Sequence, residues 1–158
     1  MTRSTLSRRK LFTGGAAALA GAVYLPGSET AAALGMRKHD NETLVRRWYG
    51  AWVNKDLDTF NALLAPNFTF TSAAGDDHIS KTTFKTRCWD TQINFIGQMD
   101  LERISTGPND AFVKYLCHTT NGKALRNVEY LRIANGKLES IECYFGAESS
   151  FPSAVSKS

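Results

Sequence analysis

Two Asn-Gly pairs in the second half of the chain restrict its fold more than any other feature. Asn121-Gly122 and Asn135-Gly136 separate three strand-like runs of residues, 109–120, 123–134 and 137–145. Asn and Gly both tolerate positive φ, which makes the pair the strongest short-range signal for a β-hairpin. The three runs are therefore predicted to form an antiparallel meander, and another strand-like run precedes them.

The first half of the domain contains helical patterns instead. Apolar residues recur at helical spacing in 43–54 and again in 55–66, where Pro66 is expected to end the second helix. Residues 67–72 alternate phenylalanine with threonine, which predicts a strand, and a third helix is expected over Lys81 to Trp89. These elements indicate an α+β fold in which a curved antiparallel sheet wraps around three N-terminal helices and encloses an apolar pocket.

A leader precedes the domain. Residues 1–33 combine a basic start, a modest apolar run from Leu11 to Leu25 and a stretch of alanines, which is the anatomy of a signal peptide. The segment Ser7–Phe12 (SRRKLF) resembles the bacterial twin-arginine signal, so we expect export to the periplasm or secretion. Cleavage is expected after Ala33, with no stable membrane insertion afterwards; an ordinary secretory signal and an uncleaved anchor are the alternatives. The rest of the chain is divided into a polar linker, one domain and a flexible tail, at residues 34–41, 42–146 and 147–158.

The position of the charge argues against a nucleic-acid partner. The formal net charge is +4 in 158 residues. Residues 1–33 hold four basic residues against one acidic residue, so the leader accounts for three of those four charges. The rest of the chain has no basic stripe of the kind that tracks a phosphate backbone.

The cysteines argue against a metal site. Cys88, Cys117 and Cys143 are odd in number, which leaves at least one thiol free within a monomer. Cys117 and Cys143 are expected to flank an intervening strand and to stand too far apart to bridge. No C-x-x-C or paired Cys/His spacing is present, so we expect small buried apolar residues, no metal and no cofactor.

The segments "RWYGAWVNKDLDTFNALLAPNFTFTS" and "ALRNVEYLRIANGKLESIECYFG" resemble the nuclear transport factor 2-like superfamily. Within it, they are similar to the SnoaL-like and ketosteroid-isomerase-like proteins, over about residues 42–146. The resemblance implies a cone-shaped sheet with a pocket between sheet and helices. It implies several activities, because this fold hosts isomerases, cyclases, dehydratases, hydrolases and binding modules.

The resemblance to ketosteroid isomerases can be followed residue by residue. Trp48 occupies the position of their oxyanion-donating tyrosine, and an indole N–H donates but cannot shuttle a proton. Ser72 occupies the position of their general base at the end of the first strand, and it is not a carboxylate. Glu129 matches their second oxyanion donor, a carboxyl that burial keeps neutral.

Other groups are candidates for the missing base. The segment after the first strand lies at the pocket mouth in this fold, which makes Asp77 and His78 the nearest proton-transfer groups. They also fit a purely structural role, because Ser80 is a suitable N-cap for the third helix and acidic residues before a helix favour its dipole. His118 is the remaining candidate, with a rim position as its alternative.

The pairing of the strands decides which candidates meet. If both hairpins have two-residue loops, Lys114 faces Glu129 and His118 faces Leu125, either within the pocket or as an exposed or dimer-facing ion pair. A glycine bulge at Gly136 would instead bring residues 141, 143 and 145 onto the face of Glu129.

The sequence therefore predicts a small enzyme without a cofactor, or a non-catalytic module that binds a small hydrophobic molecule. The enzyme would be an isomerase, lyase or cyclase that moves a proton on a hydrophobic carbonyl or aromatic compound. Scytalone dehydratases, on the same fold, use the residue types of Tyr49, Asp77, His78 and His118. A homodimer through the outer sheet face is also expected. The predicted catalytic residues are Asp77, His78, His118 and Glu129, and the predicted substrate-binding residues are Trp48, Tyr49, Trp52, Phe70, Trp89, Asn127 and Phe145.

Overall fold

The computed structural model describes residues 30–145 of the chain. The twin-arginine-like segment and the predicted tail at 147–158 lie outside the described residues. Within residues 30–145, no helix combines the length and apolar character that crossing a bilayer requires.

The helical part consists of three segments. They are α1 (Ala31–Asn54), α2 (Leu57–Leu63), and a third segment made of α3 (Lys81–Phe84), a π-helical turn (Lys85–Trp89) and α4 (Asp90–Gln92). Residues 34–41, expected to form a linker, are helical and belong to α1. The third segment was predicted over Lys81 to Trp89, and it continues to Gln92 with a wider turn in its middle.

Side-chain and backbone caps set the ends of these helices. Ser80 is the N-cap of α3, as predicted: its Oγ accepts a hydrogen bond from the Thr83 amide at 3.3 Å. Asp56 caps α2 in the same way, with the Thr59 amide 2.9 Å from its carboxylate. Lys55 ends α1 in the left-handed conformation (φ 56°), which turns the chain sharply between the two helices.

Six strands form one curved sheet. They are β1 (Leu64–Ser72), β2 (Ile79–Ser80), β3 (Ile96–Thr106), β4 (Asp110–Thr119), β5 (Ala124–Ala134) and β6 (Lys137–Phe145), in the order β2-β1-β6-β5-β4-β3. The predicted α+β architecture, with the meander of β4, β5 and β6, is confirmed. The sheet is mixed and not wholly antiparallel, because β1 runs parallel to β6.

The first hairpin does not have the predicted two-residue loop. The Thr119 amide donates to the Lys123 carbonyl at 2.9 Å, so residues 120–122 form a three-residue loop. Gly122 closes it with φ +83°, and a residue of positive φ in this last position is typical of three-residue hairpins. The Asn-Gly pair therefore signalled the hairpin correctly while occupying a longer loop than expected.

This extra loop residue reverses the predicted contacts of β4. Val113 pairs with Glu129, and Lys114 pairs with Val128, because a shift of one residue exchanges the two faces of a strand. The prediction that Lys114 faces Glu129 is wrong, and so is the pairing of His118 with Leu125.

The second hairpin has the predicted two-residue loop. Asn135 and Gly136 both have positive φ (52° and 68°), as a tight mirror-image turn requires. The register shifts between the pairs of Arg132 and Ile133, so the irregularity falls in β6 after the turn and not at Gly136 itself. Its effect is the one expected of a bulge: Cys143 pairs with Glu129, with Ile141 and Phe145 on the same face.

The inner face of the sheet and the apolar faces of the helices share one core. Trp48 of α1 stacks on Phe60 of α2 at 5.2 Å between ring centroids, and Phe84 packs 5.8 Å from Phe60. Leu131 and Ile141, paired across β5 and β6, cover these rings from the sheet side and are fully buried. The core thus closes one end of the space between sheet and helices.

Replacing Leu131 with alanine tests this division of the sheet into an inner and an outer face. Leu131 has no exposed surface, so Leu131→Ala should lower the free energy of unfolding by ~2–5 kcal/mol, measured by chemical denaturation.

Val128→Ala is the control on the outer face of the same strand. Val128 is 37% exposed, so its truncation should change the free energy of unfolding by ~1 kcal/mol or less. Equal losses for the two variants would contradict the inner position of Leu131.

Candidate functional site

A cavity of about 350 Å³ lies between the inner sheet face and the helices. This volume is at the small end of the range for pockets that bind small molecules. Phe95, Leu125 and Phe145 line the cavity and are also partly exposed, so it opens to solvent beside these apolar side chains. Seven of the residues that were predicted at the site line the cavity: Trp48, Tyr49, Trp52, Phe70, Asn127, Glu129 and Phe145.

A buried carboxyl group sits in the cavity wall. Glu129 of β5 accepts a hydrogen bond from Tyr49 Oη at 2.6 Å and another from Tyr115 Oη at 2.7 Å, each on a different carboxyl oxygen. Asn127, two residues earlier on the same face, donates to Tyr115 Oη at 3.0 Å. We refer to Glu129, Tyr49 and Tyr115 as the carboxyl–tyrosine network.

Three elements bring the network together. Tyr49 follows Trp48 on the buried face of α1, and Tyr115 lies on β4 two residues from Val113, which pairs with Glu129. The three-residue loop of the first hairpin is therefore what places Tyr115 on the inner face. Tyr115 was missed as a site residue, because a two-residue loop would have turned it outwards.

Burial sets the protonation of the network. Burial raises the pKa of Glu129, against the opposing effect of its hydrogen bonds to the two tyrosines and the nearby Cys143 thiol. Burial, followed by the adjacent Glu129 charge, also raises the pKa of Tyr49 and that of Tyr115. The hydroxyls thus stay protonated, and the environment favours the neutral carboxylic acid.

The three cysteines also line the cavity. Cys88, Cys117 and Cys143 are buried free thiols, in agreement with the prediction of small buried residues, and β5 separates Cys117 from Cys143. Burial raises the pKa of Cys88 to about 11, with the charge of Asp76 as the next cause. The thiols are therefore weak nucleophiles, because only the thiolate reacts readily.

A second carboxylate enters the cavity from the loop after β1. Asp76 is only 7% exposed and lines the cavity. Ser72 Oγ donates to Asp76 Oδ2 at 2.8 Å, and the Ser72 amide donates to the Asp76 carbonyl at 2.9 Å. Gly75 allows this tight turn with φ +92°. The turn folds the carboxylate back to the end of β1, beside the serine that stands at the expected base position.

Asp76 also has a cationic neighbour. Arg87 Nη1 of the π-helical turn lies 2.8 Å from Asp76 Oδ1. This contact is an ion pair without the alignment of a hydrogen bond, since Oδ1 has no hydrogen-bond donor among the described residues. Oδ1 is thus fully buried beside the arginine, and Oδ2 is the oxygen that Ser72 holds.

The strand register relates the two carboxyl groups. Ser72 pairs with Cys143 across β1 and β6, and Cys143 pairs with Glu129 across β6 and β5. Because neighbouring strands are ~4.8 Å apart, Ser72 and Glu129 lie roughly 10 Å apart along one row. A small molecule fits between the Ser72–Asp76 pair and the carboxyl–tyrosine network.

The structure places the predicted proton-transfer residues Asp77 and His78 outside the cavity. Their side chains are 82% and 75% exposed, and His78 Nδ1 contacts Asp77 Oδ1 at 2.5 Å. The tight turn directs residue 76 inwards, so its neighbour Asp77 points to solvent. In the sequence, Asp76 was interpreted only as one of the acidic residues that favour the dipole of the third helix; the glycine before it and the serine four residues earlier were the signal for the inward turn.

His118 and Trp89 are also displaced from their predicted places. His118 lies on the outer sheet face, where its Nε2 contacts Asp100 Oδ2 at 2.8 Å, because the register of the first hairpin turns it away from Glu129. Trp89 is buried behind the cavity wall, with its ring 4.9 Å from that of Trp52 and 4.4 Å from that of Phe60. It supports the wall without lining it.

Residues 30–145 contain no evident site for a metal ion. No cluster of three or more His, Cys, Asp or Glu side chains among them has the arrangement that could hold a metal ion. Asp76 and Glu129 face the same cavity as separate groups, each with its own hydrogen-bond donors. The site is thus built from acids, hydroxyls and aromatic rings.

The family model of the SnoaL-like domain matches residues 45–141. Among solved structures, an NTF2-like protein of unknown function from Burkholderia xenovorans LB400 is similar, with 17% identity, 75% of this chain and 92% of that chain covered and a TM-score of 0.64. A putative ketosteroid isomerase from Kribbella flavida DSM 17836 has 16% identity, coverage of 76% and 93% respectively, and a TM-score of 0.59. An LEH-like epoxide hydrolase from M. tuberculosis has 14% identity, coverage of 69% and 84%, and a TM-score of 0.58.

No curated protein matches the chain by sequence. At these identities, the solved structures agree on the fold, the same curved sheet around helices, and say nothing of the reaction. The family model covers most of the domain, from the buried face of α1 to β6. The chain has the fold of NTF2-like proteins and belongs to the SnoaL-like domain family.

Proposed function

We propose that the protein is a cofactor-independent isomerase, lyase or cyclase that moves a proton on a small hydrophobic carbonyl or aromatic compound. One observation carries the proposal: a buried carboxyl–tyrosine network and a second carboxylate, Asp76, line the same apolar cavity. The leader supports the further proposal that the protein acts in the periplasm or outside the cell after twin-arginine export.

The network supplies a hydrogen-bond donor for a substrate oxygen. Neutral Glu129, Tyr49 and Tyr115 hold three O–H protons, whereas only two O–H···O contacts join them. One proton is therefore not used among these three side chains and is available to a ligand oxygen or to the neighbouring sulfur of Cys143. A donor fixed in a dry cavity stabilises negative charge that develops on a carbonyl oxygen, since it needs no reorganisation during the reaction.

Asp76 is the proposed general base. Its side chain lines the cavity at the end of β1, where isomerases of this fold place their base, and Ser72 Oγ orients it through a hydrogen bond to Oδ2. A base and an oxyanion donor suffice to abstract a proton beside a carbonyl, so no cofactor is required.

The cavity wall supports the hydrophobic nature of the ligand. Trp48, Trp52 and Phe70 form much of it, with the apolar rim at Phe95 and Phe145. The names of fold neighbours, a ketosteroid isomerase, an epoxide hydrolase and a hydroxylase, belong to enzymes of small organic molecules and agree with this class. The alternative is a non-catalytic binding module, which would use the same wall and leave Asp76 as a structural partner of Arg87.

Substitution of the two carboxyl groups tests the catalytic proposal. Turnover would be assayed on a panel of enones, hydroxyketones and aromatic diols. Asp76→Asn should lower kcat by ~10²- to 10⁴-fold, because it removes the general base. Glu129→Gln should lower kcat by ~10²- to 10³-fold, because it disturbs the oxyanion donor.

Asp77→Asn is the matched control, since it makes the same chemical change one residue away on the exposed side of the loop. It should leave kcat unchanged. Wild-type protein that binds members of the panel in the cavity but turns none over would refute the enzyme and support the binding module.

The pH dependence of stability tests the protonation of Glu129. An exposed Glu loses its proton near pH 4.3, whereas burial raises the pKa of folded Glu129. Above about pH 4.3 the folded chain therefore holds more protons than the unfolded chain, and stability declines as pH rises towards the folded pKa. We expect the free energy of unfolding of wild type to fall relative to that of Glu129→Gln as the pH rises above about pH 4.3. A pH-independent difference between the two proteins in chemical denaturation would contradict a raised pKa.

We also propose that the outer sheet face forms a homodimer. Phe112 and Tyr144 are more than half exposed there, and Val128 lies between Lys114 and Tyr144 in the strand register. Charges on this face are compensated within one chain, because Glu102 pairs with Lys114 at 2.9 Å and with Arg126 at 2.8 Å. A second copy would therefore meet an apolar surface with little net repulsion.

Light scattering tests the dimer. We expect twice the monomer mass for wild type and the monomer mass for Phe112→Asp/Tyr144→Asp, because a charge buried without a partner is costly at an interface. The control, Asp77→Asn, should remain dimeric. A wild-type protein that is monomeric at high micromolar concentration would overturn the proposal.

A further inference from the structure

The side chain of Asn127 has a polar atom that the fold leaves without a partner. Asn127 lines the cavity and is half-buried. Its Nδ2 donates to Tyr115 Oη at 3.0 Å, whereas its Oδ1 accepts no hydrogen bond from residues 30–145. In this part of the chain, the side-chain oxygens and nitrogens that are fully buried in half-buried or buried residues all have a hydrogen-bond partner, except Asp76 Oδ1. The Asn127 oxygen is therefore not fully enclosed, and a ligand atom can reach it.

The carboxyl–tyrosine network decides which end of the Asn127 amide faces Tyr115. The Tyr115 hydroxyl donates its one proton to Glu129 Oε1 at 2.7 Å, so its oxygen can only accept from another neighbour. An asparagine amide has donors on its nitrogen and an acceptor on its oxygen. Asn127 therefore turns Nδ2 towards Tyr115, and Oδ1 stays as an acceptor. Asn127 and Glu129 are two residues apart on β5 and share the inner face, where the open space is the cavity.

The carboxylate oxygens in the cavity wall already have neighbours. Both oxygens of Glu129 accept hydrogen bonds from the tyrosines of the network. Asp76 Oδ2 accepts from Ser72 Oγ, and Asp76 Oδ1 is fully buried. Asn127 Oδ1 differs from them because it is both accessible and unpaired. It is thus an acceptor for a donor that the ligand brings.

We propose that Asn127 is a specificity residue, whose Oδ1 accepts a hydrogen bond from a hydroxyl group of the substrate. The inference rests on the proposed function, in which the carboxyl–tyrosine network donates to a carbonyl oxygen of the same molecule. It narrows the substrate class to hydrophobic compounds that carry both a carbonyl and a hydroxyl group. Residues two apart on a strand are separated by ~6.6 Å, so the two ligand oxygens should lie roughly as far apart as the opposite substituents of a six-membered ring.

This arrangement should discriminate between ligands that differ in one group. A ligand without the hydroxyl leaves Asn127 Oδ1 unpaired when it displaces water from the cavity, and that loss costs free energy. A ligand with an ether in place of the hydroxyl brings a second acceptor to Oδ1 and cannot form the hydrogen bond. The preference therefore depends on the donor and not on the polarity of the ligand alone.

Binding of three small ketones tests the proposal. The probes are 4-hydroxyacetophenone, acetophenone and 4-methoxyacetophenone, and Kd would be measured by calorimetry with the full chain. Wild type should bind 4-hydroxyacetophenone ~3- to 10-fold more tightly than either of the others, which corresponds to one neutral hydrogen bond.

Asn127→Leu should reduce this preference to less than ~2-fold, because leucine has a similar size and no acceptor. Its effect on Tyr115 acts on all three ligands, so the ratio of their Kd values isolates the contact with the hydroxyl. Gln92→Leu is the comparison variant, since Gln92 carries the other side-chain amide that lines the cavity. It should keep the preference of wild type.

A second measurement uses the wild-type protein alone and does not depend on the folding of a variant. Nuclear Overhauser effects should connect the side-chain amide protons of Asn127 to the ring protons beside the hydroxyl of bound 4-hydroxyacetophenone. Neither experiment needs turnover. A hydroxyl preference in a protein that turns over no member of the substrate panel would support the role of Asn127 and refute the enzyme.

Three results would overturn the role of Asn127, whatever the fate of the enzyme proposal. They are equal Kd values for the three ketones in wild type, a preference that Asn127→Leu retains, and no binding of any of the three at millimolar concentration. A preference that Gln92→Leu abolishes and Asn127→Leu retains would assign the contact to Gln92 instead.

Discussion

The burial of Glu129 is the constraint on which the site depends. A carboxyl group inside an apolar core is costly unless it is neutral or well hydrogen-bonded. Tyr49 from α1 and Tyr115 from β4 supply one hydrogen bond to each oxygen, so helix and sheet must meet at a fixed distance for the network to form. The same three side chains therefore join the helix to the sheet and form the proposed hydrogen-bond donor.

The second carboxylate, Asp76, reaches the cavity from a loop and not from a strand. Ser72 ends β1 where isomerases of this fold carry a base, and the loop returns Asp76 to the same place through two hydrogen bonds to Ser72. Gly75 permits this turn with its positive φ, and Arg87 forms an ion pair with the carboxylate.

Much of the fold was predictable because it rests on short-range patterns. The Asn-Gly pairs marked both hairpins, and the apolar spacing in α1 marked its buried face. Glu129, Tyr49, Asn127 and the aromatic wall followed from the resemblance and from these faces. The parallel pairing of β1 with β6 was not predictable from local patterns, since it depends on how distant segments meet.

The errors in the site have a common physical origin. One residue in the first hairpin loop decides which face Tyr115 and His118 occupy, and a two-residue loop exchanges them. One residue in the loop after β1 decides whether Asp76 or Asp77 enters the cavity. Residue types predict which segment lies at the site, whereas the geometry of the turn decides which of its side chains enters the cavity.

The protonation of Glu129 at neutral pH decides whether the carboxyl–tyrosine network can donate to a ligand, and infrared difference spectroscopy measures it directly. The wild-type protein should show the carbonyl stretch of a buried protonated carboxylic acid at pH 7, and this band should be missing in Glu129→Gln and retained in Asp77→Asn. A wild-type spectrum with no such band at pH 7, and with a carboxylate band that Glu129→Gln removes, would contradict the neutral network and the donor role derived from it.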